Sequence, residues 1–117
     1  LKNILFTKYC DNWIKNKNKI INGKTQEGYH YRYKLIRNYF SDKRKNLEDV
    51  TREDIKDFYN YLLFEAPNKR SKTGIGYTRR YVKDIRALFS QMLIDAVLDN
   101  YIIANPCDYV DIPSKEA

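Results

Sequence analysis

Arg79, Lys83 and Arg86 recur at i, i+4 and i+7, which puts three cations within roughly 60° of arc on one side of a helix. Upstream, His30, Lys34 and Arg37 repeat that spacing, with Arg32 nearby. Between the two stripes lies Arg70-Ser71-Lys72-Thr73, which offers a charged fork, an ammonium group, two hydroxyls and backbone N–H donors. Thr25 and Thr78 are each placed to cap a helix whose start carries basic residues, Lys24 at the first and Arg79 and Arg80 at the second. Cations, hydroxyls and the free N–H groups of a helix start are the donors that hold phosphate oxygens. Arg80 lies off the line of its neighbours.

Catalytic arrangements are poorly represented. His30, the single histidine, falls on the polar face of a basic helix and reads as exposed, within reach of a phosphate at most. Zinc needs three or four ligands, and Cys10, Cys107 and His30 do not supply them, so no metal and no cofactor is expected. Gly74 and Gly76 follow no strand, and no glycine-rich loop leads into Lys-Ser/Thr. Asp42, Glu48, Asp49, Glu53, Asp54 and Asp57 include close pairs, but capping and solvation explain acids at a helix start better than two-carboxylate catalysis does.

Charge is distributed unevenly. Residues 15–45 carry ten Lys/Arg against two acids, and residues 69–86 carry seven against one. The rest of the chain is acidic, with five basic and twelve acidic side chains. Two basic segments alternating with acidic ones describe two elements that face a polyanion together; two solvated lysine-rich faces are the plainer alternative.

The elements that must carry these residues are helices. Leu5, Tyr9 and Trp13, flanked by Phe6, Cys10 and Ile14, make a first helix over 4–14 that runs out in the polar segment 15–19, before a turn at Asn22-Gly23. A second starts at Thr25 and carries Tyr29, Tyr33, Ile36 and Phe40 on its apolar side, ending before a charged loop over 41–46. Thr51, with Glu53 and Asp54 after it, caps a third that buries Ile55, Phe58, Tyr59, Leu62 and Leu63 and stops at Pro67. Residues 68–76 read as a flexible loop. The fourth begins near Tyr77 or Thr78 and runs to about Asp99, with Tyr81, Ile85, Leu88, Met92 and Ala96 as its core stripe. A short helical turn follows around 102–104, Asn105-Pro106 breaks the chain, and Tyr109 onward reads as a linker or tail. No repeat and no alternating strand pattern is present, so the class is all-α.

A length of 117 residues is one domain, and 43% apolar content suffices for one modest core. No apolar run approaches the ~18 residues of a membrane span, and the N-terminus does not read as a signal peptide. The two distant cysteines are expected as reduced, buried thiols of a cytosolic protein. Eleven tyrosines are unusual; most belong to the core, and tyrosine also suits a wet interface.

The ordered set of these features resembles the N-terminal core-binding, or SAM-like, domain of tyrosine recombinases, the phage-integrase family. The resemblance runs from an aromatic helix ending at Trp13-Ile14, through Lys24-Thr25 and Tyr29 opening a helix that ends in Tyr39-Phe40, to Leu47–Asp54, Phe58 and Tyr61-Leu62. Its strongest stretch holds Ile85-Arg86, Leu88-Phe89, Ala96 and Asn105-Pro106. The resemblance implies a four-helix bundle that clamps one side of duplex DNA through its second and fourth helices. It implies other recombinase protomers in a synaptic complex as partners, and a DNA-associated place in the bacterial cytoplasm. It places the catalytic tyrosine in a further domain after Ala117, so 1–108 is expected as the DNA-binding domain, 109–117 as the start of a linker, and none of these tyrosines as the nucleophile. The family often has Thr or Ser four residues before the tyrosine matched by Tyr81; Tyr77 stands there, and Thr78 or Thr73 is expected to supply the hydroxyl contact. An RNA-binding helical domain and a protein–protein interaction bundle share the same helical pattern and remain the alternatives.

Overall fold

The computed structural model describes residues 3–17 and 23–114, the side chains of 23–27 excepted. Among the described residues four α-helices form, α1 (Phe6–Lys17), α2 (Gly23–Ser41), α3 (Arg52–Phe64) and α4 (Arg79–Leu98), with one 3₁₀ turn at Leu47–Asp49. Among the described residues there is no strand, only two isolated bridges, Leu5 with Asn46 and Pro67 with Ile75. The all-α bundle expected from the periodicity is the fold observed. No described helix is long and apolar enough to cross a membrane.

Each helix delivers one phenylalanine to a common centre. Phe6, Phe40, Phe58 and Phe89 are all buried. Phe6 meets Phe40 edge-on at 5.0 Å, while Phe89 lies 5.8 Å from each of Phe6, Phe40 and Phe58. Tilted and edge-on contacts of this kind add to the gain from burying the rings. α2 packs against both α1 and α4, and α4 also against α3. Polar ties join α1 to α4: the Tyr9 hydroxyl donates to the Met92 carbonyl at 2.8 Å and Trp13 Nε1 donates to Asp95 at 2.7 Å.

Helix ends follow local chemistry where it is strong. Thr51 Oγ1 accepts from Asp54 N at 3.2 Å and Asp54 Oδ2 accepts from Thr51 N at 2.9 Å, a complete capping box, and Lys45 Nζ reaches the same carboxylate at 2.7 Å. Thr78 Oγ1 accepts from Tyr81 N at 3.2 Å and caps α4 as expected.

Elsewhere, tertiary contacts move the boundaries. Leu5 is 47% exposed and outside α1, because residues 4–6 pair with the loop after α2: Phe6 N donates to Lys45 O and Leu47 N to Ile4 O. At its other end α1 continues to Lys17, whose ammonium group lies over the Trp13 ring. α2 is already helical at Gly23, so Thr25 sits inside it and is not its cap; Asn22 of the expected turn lies outside the described residues.

The C-terminal segment also departs from expectation. No helix forms at 102–104, because Asn100 takes a left-handed conformation (φ 65°) that ends α4, and Ile102 then points into the core while Ile103 points out. Asn105 bonds Ser90 and caps the turn into Cys107, so the chain folds back. Cys10 and Cys107 are both buried free thiols. Burial pushes the Cys107 thiol up to about 12. Beyond Cys107, Val110 and Ile112 are buried in the core, and Arg52 holds the Tyr109 carbonyl at 2.8 Å.

Candidate nucleic-acid interface

The loop between α3 and α4 is internally bonded rather than loose. Asn68 N donates to Gly74 O, Ser71 N to Asn68 O and Gly74 N to Ser71 O. Gly74 and Gly76 supply the positive φ angles, 80° and 83°, that let the chain turn back on itself. Gly76 N then donates to Ala66 O at 2.7 Å and Tyr77 N to Leu62 O at 2.8 Å, which moors the start of α4 to the end of α3.

From that mooring Tyr77 projects toward α2. Its ring stacks on Tyr81 at 5.1 Å, and its hydroxyl shares a 3.0 Å hydrogen bond with the Tyr31 hydroxyl. Burial first, and the Tyr31 bond second, push the Tyr77 hydroxyl well above the ordinary phenol value, so it stays protonated. The result is a groove of about 630 Å³ walled by Tyr31, Tyr77 and Tyr81, with Lys69, Arg70 and Thr78 along it. A second depression shares Tyr31 and Tyr77 and extends along α2 past Lys34, Asn38 and Lys43. Residues of α2, the loop and the start of α4 therefore line two depressions that share Tyr31 and Tyr77.

The structure sorts the sequence-predicted residues into groups. Lys34, Arg70, Tyr77 and Thr78 lie on this surface. Lys72, Arg80 and Lys83 are exposed. Ser71 and Thr73 turn their hydroxyls inward, onto the Ile75 carbonyl at 2.9 and 3.1 Å.

Arg37 is engaged elsewhere. Its Nε and Nη2 donate to both oxygens of Asp11 on α1, at 2.7 and 3.1 Å. That bond holds the Asp11 carboxyl below the usual range, against modest burial and with help from the Tyr33 hydroxyl. His30 is half-buried, edge-on to Tyr33, rather than fully exposed.

The α4 stripe is likewise divided. Arg79 donates from Nε and Nη2 to the Ile112 carbonyl at 3.3 Å. Arg86 is half-buried and close enough to Tyr59 and Cys107 to oppose the rise that burial imposes on both. The side chains of Lys24 and Thr25 lie outside the described residues.

Sequence reasoning singled out neither Tyr31 nor Lys69 and took Tyr81 as core, yet all three line the groove. Tyr31 carried a signal, since it is an aromatic residue off the apolar stripe of α2. Arg32, beside the α2 stripe, lies over the Tyr29 ring, and its Nε is enclosed without a hydrogen-bond partner.

Residues 5–112 match the phage integrase SAM-like domain family. The chain belongs to that family. Its fold is similar to that of a lambda integrase dimer bound to a COC′ core site, with a TM-score of 0.73, 19% identity, and coverage of 99% of this chain but 30% of that one. It is similar to a phage integrase fragment from Staphylococcus saprophyticus, at TM-score 0.68, 24% identity, and coverage of 94% and 89%. A fragment from Clostridium leptum matches at TM-score 0.67 and 24% identity, with coverage of 97% and 93%. At these identities the likeness is one of fold. No curated protein matches the sequence. In this integrase SAM-like domain, no group of described residues could hold a metal ion.

Proposed function

We propose that this integrase SAM-like domain is a DNA-binding module that clamps duplex DNA at a recombination site, through the surface formed by α2, the 67–76 loop and the start of α4. The observation that carries the reading is a set of unneutralised cations. Lys34, Lys69, Arg70, Lys72, Arg80 and Lys83 are exposed, and neither of the two ion pairs among the described residues uses any of them. Cations kept free of acids around a structured groove are available to phosphate oxygens. The acids Glu48 and Asp49 of the 3₁₀ turn and Glu53 at the start of α3 are exposed and, on this reading, face away from the duplex.

The parent protein, on this reading, is a tyrosine recombinase whose strand cleavage belongs to a separate domain. The chain from Tyr109 leads toward that domain, and Val110 and Ile112 anchor the departure to the core. The neighbour captured as a dimer on a core site supports DNA and further protomers as partners.

Duplex affinity measured across a salt series tests the proposal. With four to six phosphates engaged, log K falls against log salt with a slope of roughly −4 to −5. Affinity that does not change between low and moderate salt contradicts it, and stronger binding to single-stranded RNA than to any DNA would favour the RNA-binding alternative.

A further inference from the structure

A phosphate needs only cations and N–H or O–H donors, so the tyrosine wall of the groove calls for its own explanation. Tyr31 is 53% exposed, unlike the tyrosines of the core. Its orientation is nonetheless set, because its hydroxyl is bonded to that of Tyr77 at 3.0 Å and its ring lies 6.3 Å from Tyr81. A large aromatic face held in place at the surface is a stacking platform. No acidic residue lines the groove, and Lys69 and Arg70 stand on its rim. The occupant that fits is therefore flat, aromatic and attached to anionic groups on either side.

A fully paired duplex cannot supply it, since its bases are stacked on one another. We infer that the groove receives an unpaired nucleobase of a DNA strand, stacked on Tyr31, with the adjoining phosphates held by Lys69 and Arg70. Base identity has little influence on this site. The one side-chain amide in the groove, that of Asn68, already donates to the Gly76 carbonyl and accepts from the Arg70 N–H, which fixes its orientation. Thr78 accepts from Tyr81 N, which leaves its hydroxyl proton for a phosphate or sugar oxygen. The inference rests on the DNA-binding reading and adds a preference for locally unpaired DNA.

The test compares two fluorescently labelled duplexes of equal length at one salt concentration. One is fully paired; the other carries a single extra 2-aminopurine in one strand. The inference expects the unpaired base to tighten binding about fivefold or more, as a base–aromatic stack does, and to quench the 2-aminopurine emission in the complex. Y31A should abolish the quenching and the difference in affinity between the two probes, and Y31F, which retains the ring, should keep both. A circular dichroism melt shows that each variant is folded. Equal affinity for the two probes without quenching, or quenching that survives in Y31A, overturns this inference and leaves the clamp intact. Failure to bind either probe overturns the DNA-binding reading as well.

Discussion

Replacing Arg37 by alanine should cost stability and leave the salt dependence of DNA binding unchanged; replacing Lys34, less than one turn away on α2, should do the reverse. Arg37 grips Asp11 with two hydrogen bonds, at 2.7 and 3.1 Å. The two side chains are 34% and 52% exposed, which makes this a surface ion pair in good bidentate geometry. Such a pair contributes at most about 1 kcal/mol, and for a domain of this size that lowers the thermal midpoint by roughly 2–6 °C. Lys34 is exposed, takes part in neither ion pair, and lines the depression beside Tyr31 and Tyr77. If it meets a phosphate, its loss makes the salt slope shallower by about 0.9. Fluorescence anisotropy with a labelled duplex between 50 and 200 mM salt, on the order used to resolve such slopes, reads the second effect, and a thermal melt reads the first. If R37A flattens the slope as much as K34A does, the Asp11 pair opens on DNA and the sorting of cations by their partners is wrong. If K34A leaves the slope untouched, α2 does not face the duplex.

Three further outcomes follow from the packing and the charges. F89A removes the ring that touches the phenylalanines of the other three helices and should destabilise the domain by about 3–5 kcal/mol in a denaturant titration. Val110→Asp places a charge at a fully buried site and should lower stability by several kcal/mol, on the order of an unpaired buried charge; a midpoint equal to wild type would make the segment after Tyr109 a loose tail. Asp11 and Asp54 both have folded pKa values below their unfolded ones: Asp11 chiefly through Arg37, and Asp54 because Lys45 and the Thr51 donors outweigh its burial. Depressed carboxylates contribute stability that is complete above the unfolded value, about pH 4, and is lost as pH falls through the folded value. The stability measured by chemical denaturation should therefore fall below about pH 4, and less so in D11N, which has already lost its share.

Local chemistry was legible in the sequence wherever one side chain could satisfy its own backbone. Thr51 and Asp54 close a capping box within four residues, and Thr78 caps α4 with no outside help. The buried faces of α3 and α4 were legible for the same reason, since their periodicity is strong. What escaped was decided by distant partners. Leu5 looked like the first residue of a helical stripe, yet pairing with Asn46 draws it out of the helix. Ser71 and Thr73 looked like free donors, yet both serve the Ile75 carbonyl across a turn that two glycines make possible. Tyr109 to Ile112 looked like a tail because its two apolar residues show no helical period; alternating burial of Val110 and Ile112 follows from extended chain laid on the core. The helical spacing of the cations was legible, but the partners that take up Arg37 and Arg79, Asp11 and the Ile112 carbonyl, lie far away in the sequence.

A titration of the ¹⁵N-labelled chain with a short duplex, followed by amide chemical shifts, tests the central claim most directly. The account predicts that the largest shifts fall on residues 31–38, on the loop 68–77 and on Thr78 to Lys83, with the start of α3 from Arg52 to Asp57 unmoved. Shifts concentrated on α3 or on the C-terminal end of α4, with the Tyr31 groove silent, would contradict it.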